Sequence, residues 1–146
     1  RDRACDIVVA KQSAVFIQAF SKIGLIPDSG GTYTLPRLVG MQRASALMML
    51  AEKVSAADAM DMGMIYKAYP DENFNEEVRK MAVQLAQMPT YGLALTKQAL
   101  NQTYNNTLVE QLHLEDTLQT LAGDSKDYKE GTSAFLEKRI PVFKHK

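Results

Sequence analysis

The sequence predicts an α/β chain, with a few short strands near its start followed by a helical region. Three observations predict this. Ile7-Val8-Val9-Ala10 has the length and make-up of a buried strand, and Ala14-Val15-Phe16-Ile17 of a second short one. From Met41 onward, strong helix formers instead run between capping residues and Gly or Pro punctuation. At 146 residues, the chain is long enough for one domain with a real core.

The elements follow in order. In Ile26-Pro27-Asp28-Ser29-Gly30-Gly31-Thr32, Pro27 fixes its own φ and biases Ile26 toward an extended shape. Gly30 and Gly31 lack a Cβ, so a helix, a strand or a ligand can approach them. Tyr33, Leu35, Leu38 and Val39 then suit a short helix starting near Ser29. A second helix runs from Met41 to Ala51, with Ala46, Leu47, Leu50 and Ala51 available for its apolar face. Ser55-Ala56-Ala57-Asp58 reads as a capping box opening a short helix that ends near Gly63. Met64 to Tyr69 is a strand closed by Pro70. Asp71 caps a helix to about Gln87, with Phe74, Val78, Met81, Ala82 and Leu85 at helical spacing. Pro89 starts the next helix, to about Tyr104. Thr107-Leu108-Val109-Glu110 is another capping box, opening a helix that ends at Gly123. The last helix covers about Lys126 to Lys138, and Lys144, His145 and Lys146 read as a loose tail. No internal repeat or low-complexity tract is present.

Composition narrows the function classes. Seventeen basic residues balance 17 acidic ones, which gives no basic stripe for nucleic acid. No apolar run is long enough to span a bilayer, and the start has no signal-peptide pattern, so cytoplasm is the expected compartment. A single cysteine, Cys5, rules out an internal disulfide, and its apolar neighbours favour a small buried residue over a nucleophile. It has no histidine at a spacing that suggests a triad or a metal site, and no metal is expected. Met48, Met49, Met60, Met62 and Met64 suit core filling better than an acyl pocket. Glu110 and Glu115 read as a helix cap and a solvated or interface charge.

Asp28 is the candidate for chemistry, and two readings of it stay open. As an N-cap it would stabilise its helix by ~1 kcal/mol. As a general base it would need apolar walls to offset the helix N-terminus, which favours the anion. Leu25, Ile26 and Leu35 are the residues available as walls.

Several spaced segments carry a family resemblance: Cys5-Asp6-Ile7-Val8-Val9-Ala10, Phe16, Lys22 through Thr32, Leu35-Pro36-Arg37-Leu38-Val39-Gly40, Ala59 with Gly63-Met64-Ile65, and Gly131 through Arg139. In this order they resemble the crotonase (enoyl-CoA hydratase/isomerase) superfamily. Within it they are similar to the phenylacetate-pathway branch, the 2-(1,2-epoxy-1,2-dihydrophenyl)acetyl-CoA isomerases. The resemblance runs from about Ala4 onward. It implies the C-terminal part of a crotonase (ClpP/crotonase-like) fold, with residues 1–88 in the core and 89–146 forming a helical oligomerisation region.

Such proteins bind an acyl-CoA thioester and stabilise the enolate formed beside its carbonyl. Two backbone N–H groups form the oxyanion hole, worth about 3–4 kcal/mol each to the barrier. Coenzyme A is part of the substrate, and no separate cofactor is implied. Hydratases of the family use two glutamates. One aligns just before Arg1, and the other with Phe20, which cannot transfer a proton. Asp28 aligns with the catalytic aspartate of the isomerases. The resemblance also implies substrate contacts at Ile26 and Pro27, and at Phe135 and Lys138, where an aromatic ring and a lysine on one helix face approach the adenine and phosphates of coenzyme A. It implies a homotrimer or a hexamer built as a dimer of trimers. The oxyanion-hole segments and most coenzyme A loops align before Arg1, so this stretch alone is expected to be inactive. Arg1-Asp2-Arg3 departs from the apolar helix that relatives carry there. The expected activity is therefore acyl-CoA isomerisation, with hydration, or a non-catalytic oligomerisation module, as alternatives.

Overall fold

The computed structural model describes residues 5–144. The expectations for Arg1-Asp2-Arg3, His145 and Lys146 lie outside the described residues. The chain forms two compact units, divided after Arg79.

In the first unit, β1 (Val9–Lys11) pairs in parallel with β4 (Lys67–Tyr69), placing Ala10 opposite Ala68. The short β2 (Val15–Phe16) pairs antiparallel with β3 (Val54–Ser55). Strands form near all three expected places but shorter or shifted: β1 takes Val9 and Ala10 of the expected Ile7–Ala10 and adds Lys11, β2 only Val15–Phe16 of Ala14–Ile17, and β4 only the last three residues of Met64–Tyr69. Between β2 and α1 (Gly31–Val39) lies a 3₁₀ turn at Ala19–Ile23, which packs against α2 (Met41–Leu50). The core has two joined parts. Ala10, Val54, Ala56, Ala59 and Ile65 form one, and Leu35, Val39 and Ala44 the other. Leu47, Met62 and Met64 pack against both, so these methionines, with Met48, do fill the core. Met49 and Met60 are exposed instead. Buried Ala56 and Ala59 let α3 (Ala56–Asp61) sit close to the strands, and buried Ala44 lets α2 pack on α1.

Three local expectations are corrected here. Ser55 caps α3 by accepting from the Asp58 N–H at 3.1 Å, but the box is only half made. The Asp58 carboxylate accepts from the Ser55 hydroxyl at 2.6 Å; aspartate is a methylene shorter than the Glu or Gln of a full box. Asp71 does not cap α4 (Phe74–Gln87). Its carboxylate accepts from both the backbone N–H and the hydroxyl of Ser13, fastening the β1–β2 turn to the end of β4. These bonds hold the Asp71 carboxyl below its ordinary value. Cys5 is exposed, because residues 5–7 bend ahead of β1 and the buried residue of that strand is Ala10.

The second unit is helical. α5 (Thr90–Gln102) follows Pro89, and α6 (Leu108–Asp124) opens with a complete capping box between Thr107 and Glu110. The Glu110 carboxylate accepts from the Thr107 N–H at 2.7 Å, which holds its carboxyl below the ordinary range. α5 packs on α6, and α6 on α7 (Lys126–Glu137). Leu118 and Ala134 are the buried apolar residues of this unit, while Leu100, Leu108, Val109 and Leu112 remain exposed on the helices.

Candidate functional site

The loop that carries Asp28 is set between two left-handed turns. At the end of the 3₁₀ turn, Gly24 has φ 74°, and Leu25 N–H donates to the Phe20 carbonyl at 3.0 Å. Leu25 to Asp28 then carry no regular structure. At the far end Ser29 (φ 51°) and Gly30 (φ 76°) are both left-handed. The Gly31 N–H closes this turn on the Asp28 carbonyl at 2.8 Å. Two successive positive φ values across a four-residue hydrogen-bonded turn are the mark of a type I′ geometry.

This turn overturns the capping reading of Asp28. α1 begins at Gly31, with Gly30 as its N-cap and no side-chain cap bond. The left-handed pair starts the helix two residues beyond the expected Ser29 and leaves the Asp28 carboxylate outside it. The glycine pair also acts differently from expectation. Gly30 is needed for its φ, yet a Cβ there would meet nothing within 4 Å. A Cβ on Gly31 would touch only the Pro27 Cβ, at an ordinary 3.5 Å.

The expected walls are not assembled within this unit. Leu25 and Ile26 are exposed, Ile26 at 80%, and Leu35 lies fully buried in the core with Val39 and Ala44. Their orientation follows from the loop: residues 25 and 26 precede the turn, whereas Leu35 sits on the inward face of α1. Asp28 is exposed, and Pro27 is half-buried beside it. Phe20, the residue the resemblance aligns with a hydratase glutamate, is a half-buried ring in the 3₁₀ turn.

Phe135 and Lys138 belong to the second unit. Phe135 is 83% exposed near the end of α7 and lines a groove of about 490 Å³ with Tyr128, Thr132, Leu136 and Phe143. Lys138 does not share a helix face with it. The helix stops at Glu137, and Lys138 is its left-handed cap residue, with φ 54°. Its N–H donates to the Phe135 carbonyl at 3.3 Å, while Arg139 N–H donates to the Ala134 carbonyl at 3.0 Å. These paired bonds are those of a Schellman turn, which usually places glycine where Lys138 stands. The structure therefore groups Ile26, Pro27 and Asp28 in one loop, and Phe135 and Lys138 at one helix end in the other unit.

The sequence reading missed the ion pairs of the C-terminal segment. Glu130 receives the Arg139 guanidinium through two bonds, at 2.6 and 2.9 Å, and the Val142 N–H at 2.8 Å. These contacts hold its carboxyl at about 2, the Arg139 bond contributing most. Arg139 also reaches Glu137 at 2.5 Å. Lys144, expected in a loose tail, donates its N–H to the buried Asp127 at 2.7 Å. A nine-residue separation matches no helical spacing, so nothing in the sequence pairs Glu130 with Arg139.

Comparison with known proteins fixes the family. The profile described as Enoyl-CoA hydratase/isomerase matches residues 2–146. The chain belongs to the enoyl-CoA hydratase/isomerase family. It is 51% identical over 138 residues to a protein of Escherichia coli strain K12 named "1,2-epoxyphenylacetyl-CoA isomerase", covering 94% of this chain and 53% of that one. It is 49% identical over 140 residues to a Rhodobacter capsulatus protein named "Probable enoyl-CoA hydratase", covering 96% and 54%. Among solved structures, an enoyl-CoA hydratase from Polaromonas sp. JS666 superposes with a TM-score of 0.91 at 36% identity, over 97% of this chain and 55% of that one. The crotonase fold expected from the resemblance is thus the fold observed, few short strands followed by helices. The chain spans about half the length of the curated relatives it matches. Their names divide between isomerase and hydratase, so family membership fixes an acyl-CoA-processing enzyme family and leaves the reaction open. No helix among the described residues is long and apolar enough to cross a membrane.

Proposed function

We propose that the full-length protein is an acyl-CoA isomerase in which Asp28 shuttles the proton. The observation that carries this reading is the turn at Ser29-Gly30. It leaves the Asp28 carboxylate on an exposed, hydrogen-bonded loop, outside the cap of α1. The aromatic Phe20 supports isomerisation over hydration, since hydration draws on a second carboxylate. One carboxylate suffices for an isomerase. In a 3-enoyl thioester it takes a proton from C2, the electrons pass into a dienolate with the charge on the thioester oxygen, and the same proton returns at C4. Backbone donors from the remainder of the protein would hold that oxygen. Conversion of an epoxyphenylacetyl-CoA to its oxepin isomer is the sharper form of the reading, supported by the name of the 51% identical relative.

Ile26 and Pro27 would flank the acyl group, and Phe135 and Lys138 would take the adenine and phosphates of coenzyme A. The exposed Leu108, Val109 and Leu112 of α6 support assembly as a homotrimer or a dimer of trimers. The test is Asp28→Asn in the full-length protein, assayed for 3-enoyl-CoA to 2-enoyl-CoA conversion and for hydration. Loss of a general base predicts a fall of about 10²–10⁴-fold in isomerisation. Isomerisation that survives the substitution, or hydration as the dominant activity, refutes the proposal.

A further inference from the structure

The C-terminal segment after α7 is held by two carboxylates of that helix. Glu130 binds the Arg139 guanidinium and the Val142 N–H; one turn earlier, Asp127 binds the Lys144 N–H. Phe143 lies against Gly131, where an added Cβ would stand 3.6 Å from its ring. Residues 139–144 thus form a strap along α7, and Phe143 forms one wall of the groove that Phe135 also lines.

Lys138 is the pivot of this strap. It is a non-glycine residue at φ 54°, a conformation costing roughly 1–2 kcal/mol for an L side chain. Such a position persists where its surroundings over-determine it, and strain of this kind gathers where a side chain must be placed. Here the surroundings are identifiable. Behind Lys138 the Schellman bonds close the helix, and ahead of it Arg139 is gripped by Glu130 and Glu137. Glycine would make the same turn without strain but carries no cation.

We propose that Glu130 is a positioning residue for acyl-CoA binding: by gripping Arg139 and Val142, it fixes Lys138 and the Phe143 wall so that the ammonium and the Phe135 ring meet the nucleotide end of coenzyme A. This inference rests on the reading that Phe135 and Lys138 take that end. Glu130 itself touches no substrate and acts through the strap. The consequence is selective. Losing the grip weakens recognition of the nucleotide and leaves the acyl chemistry at Asp28 intact.

The test uses the full-length protein with Glu130→Gln and, as a milder break that keeps the charge but loses the paired bonds, Arg139→Lys. Turnover is measured on a coenzyme A thioester and on the same acyl group carried by N-acetylcysteamine, which lacks the nucleotide. Coenzyme A binding is measured by calorimetry. We expect KM for the coenzyme A thioester and the Kd for coenzyme A to rise roughly two- to fivefold, the size of one partly exposed charge contact. kcat and the KM of the truncated thioester stay unchanged. Unchanged KM for the coenzyme A thioester in both variants overturns the proposal, as does an equal rise on the truncated thioester. If Glu130→Gln fails to fold, Arg139→Lys decides alone. A wild-type protein that does not bind coenzyme A removes the underlying reading and this inference together; wild-type binding with unaltered variants removes only the inference.

Discussion

The two adjacent glycines of the Asp28 loop should respond to the same substitution with opposite sign. Gly30 has φ 76°, where an alanine pays about 1–2 kcal/mol in clash of its Cβ with its own backbone. Alanine also narrows the unfolded ensemble, a gain of about 0.4–1 kcal/mol. No neighbour adds to the cost, since nothing lies within 4 Å of the place a methyl group would take at Gly30. Gly30→Ala should therefore destabilise by up to about 1.6 kcal/mol. Gly31 is the first residue of α1, outside the positive-φ set, and its Cβ would make only an ordinary contact with Pro27 at 3.5 Å. Gly31→Ala should stabilise by about 0.4–1 kcal/mol through the same unfolded-state gain. Urea unfolding of the two full-length variants beside wild type, followed by circular dichroism, reads both signs at once. If both destabilise alike by more than about 1.5 kcal/mol, something outside this loop presses on the pair. The glycines would then serve close approach, and the turn argument for Asp28 fails.

Three further outcomes follow from the packing and the ion pairs. Leu35→Ala removes a fully buried side chain between Val39 and Ala44, and should lower the unfolding free energy by about 2–5 kcal/mol in the same urea experiment. Thr107→Ala deletes the hydroxyl half of the α6 capping box and should cost about 1 kcal/mol, read as a lower midpoint at unchanged slope. The Glu130 carboxyl lies at about 2 in the folded chain against an ordinary 4.5, so its contribution is present above 4.5 and lost as pH falls from there toward 2. The Tm difference between wild type and Glu130→Gln should accordingly be constant from about pH 7 to about 5 and shrink below that; a difference that persists at the acid end contradicts the ion-pair origin.

How much of this was legible in the sequence depends on the range of the interaction involved. The Thr107 box and the Pro89 helix start are decided within a few residues, and each stands where the pattern places it, whereas β1 begins only at the end of its β-branched run, at Val9. Asp71 shows the limit. Three residues ahead of a helix, it has the chemistry of a cap, yet Ser13, 58 residues away in sequence, offers it two donors instead of one. A local propensity of about 1 kcal/mol yields readily to such a competitor. The same holds for Glu130 and Arg139, which meet only because Lys138 turns the chain back along α7.

Asp28 is the instructive case, because the local signals there conflict. A carboxylate just ahead of an apolar helical run favours a cap, whereas two glycines after it favour a turn. The turn prevails because Gly30 reaches a left-handed conformation at no steric cost, and Ser29 follows it there. The Gly31 N–H is taken by the backbone carbonyl of Asp28, and Gly30 stands as the cap of α1 with no side-chain cap bond. The carboxylate is then left without the structural role that would otherwise account for it. A loop carboxylate that stabilises no element and sits on a rigid turn is better explained by something it is meant to touch. The proposal that Asp28 is the base takes up that carboxylate, with the acidic C2–H of an acyl-CoA thioester as the proton it would move.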